Sequence, residues 1–292
     1  KTIQILLANC FYQSSKTDEN FKKIVNDNSY NFSRYYFFYS NYYFNKKNKT
    51  KALEIIKKAS KDNPNNLLIN QFKKKLVLNE KNHNKFNCSN QNDILAEIFY
   101  VIANALSSQG NYKLSNFYVS LSNYLNPDFF SYNSLLAENY FILNKYEISR
   151  KIFEKLSNQG SVYKWYADKQ IAFIFDYQKK EDEAIQHLTK SYEKINPTIY
   201  QTFDFANFLK NREKFEKSVK LYSEILSKIN VNHKLYAKVL DKRGTAYERL
   251  NKWDLGENDL LNSLKLSPNK PYVMNYLAYT WIEKGKNLNK AL

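Results

Sequence analysis

Residues 96–127, AEIFYVIANALSSQGNYKLSNFYVSLSNYLNP, and residues 237–268, AKVLDKRGTAYERLNKWDLGENDLLNSLKLSP, differ at most positions yet follow one rule. In each, the eighth residue is small (Ala103, Gly244) and the eleventh is large (Leu106, Tyr247). The twentieth is small again (Ser115, Gly256), the twenty-fourth is apolar (Val119, Leu260) and the thirty-second is proline (Pro127, Pro268). Working outward, frames that open at Ser33, Phe130, Trp165, Ile199 and Pro271 follow the same size pattern at positions eight and eleven, the Ser33 frame also ending on proline (Pro64), and from Ala96 onward the starts are spaced 34, 35, 34, 38 and 34 residues apart. The eighth position reads Ser40, Ala103, Ala137, Ala172, Ala206, Gly244 and Ala278, every entry small. The eleventh reads Tyr43, Leu106, Tyr140, Phe175, Leu209, Tyr247 and Trp281, every entry large.

Two antiparallel helices approach closely only where small side chains face each other, and large side chains fill the holes to either side. The pattern therefore predicts a helix pair per frame, with position eight of the first helix (helix A) against position twenty of the second (helix B). The turn between them is polar, as in Gln109-Gly110-Asn111 and Arg212-Glu213-Lys214. Proline at position thirty-two ends helix B, because it cannot continue a helix.

This pattern resembles the tetratricopeptide repeat, a 34-residue helix–turn–helix unit. The resemblance covers six nearly complete copies and a seventh first helix, about 200 residues. It implies an all-α fold, a right-handed superhelical solenoid of antiparallel helix pairs. The array over 96–292 has repeats starting near 96, 130, 165, 199, 237 and 271, the last one truncated. Asn133 and Asp168 at the usually aromatic fourth position, and Arg243 at a normally apolar seventh, depart from the family pattern, and those repeats are expected to pack less well. The C-terminal copies, with Trp253-Asp254 and Pro271-Tyr272-Val273-Met274-Asn275-Tyr276, look like those of uncharacterised α-proteobacterial repeat proteins, which suggests a bacterial origin.

Upstream, residues 33–66 form one further repeat, and residues 1–32 read as a degenerate N-terminal helix pair. Residues 67–95 break the array: Leu67–Asn79 can form an extra helix, and the polar stretch 80–93 reads as a loop or flexible joint. The chain begins at Lys1 without an initiator methionine and stops inside an unfinished helix, which reads as a fragment. A completed array would be a monomer; a truncated last repeat exposes an apolar edge through which a dimer can form. A fragment leaves the compartment open between bacterial cytoplasm and periplasm.

The 292 residues carry Lys+Arg 45 against Asp+Glu 28, a net charge of +17. Only five of the cations are Arg, the residue favoured for bidentate phosphate recognition. Lysine beside abundant Asn, Tyr, Phe and Ile reads first as compositional drift over solvated faces, and second as a signal for an anionic partner. Two cysteines exclude a disulfide framework and a four-ligand zinc site. Cys10, in an apolar run, reads as a core thiol, and Cys88, in the polar loop, as an exposed one. A bridge between them would need close approach and an oxidising compartment. No apolar run approaches the roughly 18 residues that a membrane span needs.

Catalytic motifs are absent: five glycines build no phosphate loop, and neither GxSxG nor HExxH occurs. His83, His187 and His233 are isolated, and carboxylates such as Asp182 and Glu183 sit beside lysines as a solvated face. No catalytic residue, cofactor or metal site is expected. The resemblance instead implies a non-catalytic scaffold that binds a peptide or protein segment along the concave face of the A helices. At the groove positions stand Tyr166, Lys169 and Phe173; Tyr200, Phe203, Asn207 and Lys210; Lys238, Asp241, Lys242 and Arg249; and Tyr272, Asn275, Tyr276 and Tyr279. Asn can pair with a peptide backbone, aromatics bury side chains, and cations hold acidic groups. The family's carboxylate clamp is matched at Lys169, Lys238 and Lys242, but Phe173 and Asp204 stand where it needs Asn. Two other readings stay open. One is an electrostatic binder of nucleic acid or another anionic surface, although position two (Arg34, Glu97, Ser131, Tyr166, Tyr200, Lys238, Tyr272) shows no base-reading code. The other is a structural spacer within a larger complex.

Overall fold

A computed structural model describes residues 7, 10–12, 14–27, 32–78 and 85–291. Among these every regular element is a helix. The chain divides into two compact units, Lys1–Lys180 and Glu181–Leu292. Each is a run of stacked antiparallel helix pairs, and each is described by itself.

The first unit holds α1 (Thr17–Val25), α2 (Tyr35–Asn45), α3 (Lys49–Asp62), α4 (Leu67–Leu78), α5 (Gln91–Ser108), α6 (Tyr112–Leu125), α7 (Tyr132–Ile142), α8 (Tyr146–Ser157) and α9 (Ser161–Tyr177). The pairs α2/α3, α5/α6 and α7/α8 are repeats, and the contact between small residues takes the same form in each. The hydroxyl of Ser115 donates to the carbonyl of Ala103 at 2.7 Å, and that of Ser149 to Ala137 at 2.8 Å. In α2/α3 the serine and alanine change places, and Ser40 donates to Ala52 at 2.7 Å. A small side chain thus permits the approach and also satisfies a carbonyl of the neighbouring helix. The twenty-fourth-position residues Ile56, Val119 and Phe153 are buried beside this contact.

A second periodic feature lies at the turn. The fifteenth residue of every frame adopts the left-handed conformation: Lys47 (φ 60°), Gly110 (80°), Asn144 (57°), Lys179 (60°), Glu213 (57°), Asn251 (59°) and Gly285 (61°). In every frame the next amide donates back to the carbonyl of position eleven, at 2.8–3.0 Å, from Asn48 to Tyr43 through Lys286 to Trp281. This six-to-one bond ends helix A sharply enough for helix B to fold back. Lys and Glu accept a conformation that costs L-residues about 1 kcal/mol because the hairpin leaves no alternative.

The N-terminal part of this unit is tied together by charge. Arg34 donates from Nε and Nη2 to the two carboxylate oxygens of Glu97 at 2.8 and 3.0 Å, and from Nη1 to Ser131 at 3.1 Å. Its guanidinium carbon lies 4.1 Å from the centre of the Tyr100 ring. Burial works against the charge on Arg34, but Glu97 outweighs it, and the proton is held more tightly than in water. Helix α4 reaches α9: Gln71 accepts from the amide of Val162 at 3.0 Å, and Lys74 donates to Ser161 at 2.7 Å. Gly160 (φ 124°) lies against Gln71, where a Cβ would fall 2.2 Å from the amide nitrogen.

The cysteines depart from expectation. Cys88 is buried rather than exposed, and it forms a disulfide with Cys10 across a sequence separation of 78, with Cα atoms 5.2 Å apart. The segment that carries Cys88 is held down on several sides. Asn41 donates to the Phe86 carbonyl at 2.7 Å, Asn126 to that of Lys85 at 3.1 Å, and the Phe86 ring packs 4.6 Å from Phe38. These partners are invisible in a stretch that sequence alone reads as polar.

The second unit holds α10 (Glu181–Glu193), α11 (Ile199–Lys210), α12 (Phe215–Lys228), α13 (Tyr236–Arg249), α14 (Trp253–Leu266), α15 (Pro271–Glu283) and the short α16 (Leu288–Ala291). Thr198 and Gln201 form a reciprocal capping box that starts α11, and Pro271 starts α15. In α13/α14 the approach is closest: a Cβ on Gly256 would fall 2.8 Å from the carbonyl oxygen of Gly244. Arg243, out of place in the sequence pattern, grips Asp259 through two bonds of 2.7 and 2.9 Å and reaches Ser223 at 3.0 Å. It replaces an apolar contact with a charge-assisted tie from α13 to both α14 and α12.

Candidate interaction cleft

In the second unit the A helices α11, α13 and α15 present one face together. Between them lies a cleft of about 420 Å³ lined by Phe203, Asn207 and Lys210 of α11 with Asn211 at its C-cap, Lys238, Asp241 and Lys242 of α13, Lys270, and Tyr272 at the start of α15. The helical period places Phe203, Asn207 and Lys210 on one stripe of α11, and Lys238, Asp241 and Lys242 on one stripe of α13. Seven residues at expected groove positions therefore meet here: Phe203, Asn207, Lys210, Lys238, Asp241, Lys242 and Tyr272.

The cleft is strongly cationic, with four lysines against the one carboxylate of Asp241. That carboxylate is already engaged. Its Oδ2 accepts from Lys270 at 3.2 Å and from the Tyr272 hydroxyl. Lys270 also donates to Ser263 at 2.9 Å, so it is held in the wall. Lys242 stands 3.7 Å from Oδ1 of Asp241 and 5.2 Å from the Tyr272 ring. Oδ1 accepts no hydrogen bond although Asp241 is only 1% exposed. Among the described residues, the ammonium groups of Lys210 and Lys238 make neither hydrogen bond nor ion pair. Burial pushes the Lys210 ammonium down from its ordinary range, and the nearby charges of Lys242 and Arg249 push it further. The cleft thus holds four cations that repel one another around a single carboxylate. Aromatic surface lies on two sides.

Within the cleft Asn207 accepts from the Tyr222 hydroxyl at 2.8 Å, which fixes its amide with the nitrogen free to donate. The other expected groove residues are placed differently. Tyr276 donates to Glu248 at 2.6 Å, and Arg249 lies 3.7 Å from the same carboxylate. Tyr200 packs on the His233 ring at 6.1 Å, while Asn275 and Tyr279 are exposed beyond the cleft. Tyr166, Lys169 and Phe173 lie on α9 in the first unit, where the Tyr166 hydroxyl is taken by Glu138. Asp204, the acidic residue that would oppose an anionic ligand, does not line the cleft. Asn211 and Lys270 were not legible as site residues. Lys270 sits in the linker ahead of helix A, outside the groove positions, and only its proximity to Pro271 hints at a fixed backbone.

Among the described residues no three His, Cys, Asp or Glu side chains group to hold a metal ion, and no helix is long and apolar enough to cross a membrane. No protein-family model and no curated protein matches the chain. Solved structures do resemble it. YrrB, described as a tetratricopeptide-repeat protein with an unusual peptide-binding site, is 12% identical over 75% of this chain and 95% of its own, with a TM-score of 0.42. The Cut9–Hcn1 hetero-tetramer of the APC/C is 14% identical over 99% of this chain and 58% of its own, at 0.49. The C-terminal part of a repeat-containing protein from Cytophaga hutchinsonii is 15% identical over 66% of this chain and 74% of its own, at 0.48. At such values the likeness bears on no residue of the cleft.

Proposed function

We propose that this chain of tetratricopeptide-type helix pairs is a non-catalytic interaction scaffold, and that its second unit binds an acidic protein segment in the cleft between α11, α13 and α15. The observation that carries this reading is the surplus of cations. Lys210, Lys238, Lys242 and Lys270 gather around the single carboxylate of Asp241, which Lys242 and Lys270 already face. Three helices packed at about 10 Å intervals span roughly 20 Å, which an extended segment of about six residues covers. Carboxylates of that segment would answer Lys210, Lys238 and Lys242. The Asn207 amide would donate to its backbone, and Phe203 and Tyr272 would cover its apolar side chains. A backbone N–H would satisfy Oδ1 of Asp241.

A displayed library of random twelve-residue peptides, selected on the protein at physiological salt, tests this reading. Selected sequences should be enriched in Asp and Glu flanking an apolar residue. Lys238→Glu/Lys242→Glu should abolish or invert that enrichment. Selection without an acidic bias, or the same sequences recovered on the charge-reversed variant, would remove the cleft from consideration. Preferential retention of a single-stranded oligonucleotide over every peptide would favour a nucleic-acid binder instead.

A further inference from the structure

We propose that Cys10 and Cys88 are a thiol oxidation site, and that this chain folds in an oxidising compartment as the substrate of a disulfide-bearing protein oxidant. The chain has two cysteines in all, and they are each other's neighbours across 78 residues of sequence. Their Cα separation of 5.2 Å lies within the range that a disulfide spans without backbone movement. Both lie in one apolar cluster with Leu7, Phe21, Phe38 and Phe86.

The bridge joins two segments, far apart in sequence, that lie outside the regular repeats and pack on the same helix. The segment after Cys10 meets α2 through Phe21, whose ring stacks 5.2 Å from that of Tyr39, and through Tyr36, which donates to the Val25 carbonyl at 3.0 Å, and Tyr39, which donates to Asp18 at 2.8 Å. The segment around Cys88 meets the same helix through Asn41 and Phe38. A covalent link between them clamps both onto α2. Proteins kept in a reducing cytosol rarely carry such a link, whereas exported proteins commonly do.

The chemistry balances by thiol–disulfide exchange. The thiolate of one cysteine attacks the oxidant's disulfide and forms a mixed disulfide, releasing the first of the oxidant's thiols. The second cysteine, deprotonated, then attacks the mixed bond, and the oxidant leaves as a dithiol with two electrons and two protons. In the folded chain Cys10 is 0% and Cys88 6% exposed. Exchange must therefore precede docking of the segment that carries Cys88.

The test takes the full-length protein from its own cells, with thiols trapped at once by acid and N-ethylmaleimide in denaturant. We expect the peptides that carry Cys10 and Cys88 to take up no alkyl group before reduction and one each after it, read by peptide mass. Two alkyl groups without reduction overturn the proposal. A second arm compares thermal unfolding with and without reductant. The wild-type midpoint should fall by roughly 10 °C, and Cys10→Ser/Cys88→Ser should already sit at that lower midpoint and ignore the reductant. A wild-type midpoint that reductant leaves in place while the mass confirms reduction would overturn the clamp even if the double variant fails to fold.

Discussion

Arg34→Met removes the cation at the centre of the first unit. Glu97 is 0% exposed, and both of its oxygens receive their donors from Arg34. The substitution preserves bulk but strands a buried carboxylate. Breaking a buried pair from one side costs about 3–5 kcal/mol, because the remaining charge has lost both water and partner. Loss of the Arg34–Tyr100 contact adds up to about 1–2 kcal/mol. The side chain of Arg34 is 19% exposed, so some solvation survives, and the lower part of the range applies. A loss of about 3 kcal/mol corresponds to roughly 10²-fold faster amide exchange in the helices the pair ties together. Hydrogen exchange read by mass spectrometry on peptides from α2, α5 and α7 measures this directly. The companion variant Arg34→Met/Glu97→Leu removes both charges and should recover most of the loss. Exchange within a factor of about five of wild type (about 1 kcal/mol) in Arg34→Met, or a double variant no better than the single, would refute the reasoning.

Further expectations follow from the hairpins and the cleft. Glu213→Gly relieves an L-residue held at φ 57° and should raise stability by about 1 kcal/mol, while Gly110→Ala, at φ 80°, should lower it by a similar amount; urea midpoints decide both. Gly256→Ala forces a methyl against the Gly244 carbonyl and should cost about 1–3 kcal/mol, seen as a drop in the urea midpoint of the second unit. Because burial and neighbouring cations depress Lys210, an acidic ligand should draw a proton onto it as it binds. Affinity should therefore fall as pH rises toward the ordinary lysine value near 10.5, and Lys210→Gln should flatten that slope in an anisotropy titration.

The repeat was legible because a 34-residue register constrains size at fixed places, and size is written in the sequence. Ala103 against Ser115, and Gly244 against Gly256, need no tertiary knowledge to be paired. The left-handed residue of each turn was only half legible. Gly110, Asn144, Asn251 and Gly285 carry the usual signature, but Lys47, Lys179 and Glu213 do not, because the six-to-one bond imposes the conformation on them. Position two shows no nucleotide code, and the structure gives a physical reason in the first unit. Arg34, Glu97 and Ser131 occupy that position in three consecutive repeats and bind one another. The Cys10–Cys88 bridge and the pinned segment from 85 to 90 were illegible, because their partners come from distant helices. Seven residues at groove positions converge on the cleft because helix period places them on one face. Lys270 was missed because it belongs to a linker.

The most direct test of the cleft uses a labelled twelve-residue peptide of alternating Glu and Leu, with its Gln-for-Glu counterpart as control. Fluorescence anisotropy is read at about 0.05 M and 0.5 M salt, across which the Debye length falls from above to below about 10 Å. Saturable binding of the acidic peptide alone, weakened but not abolished at high salt and lost in Lys238→Glu/Lys242→Glu, is the predicted result. Equal binding of both peptides, or affinity for the acidic one unchanged by that double substitution, would contradict an acidic segment seated between α11, α13 and α15.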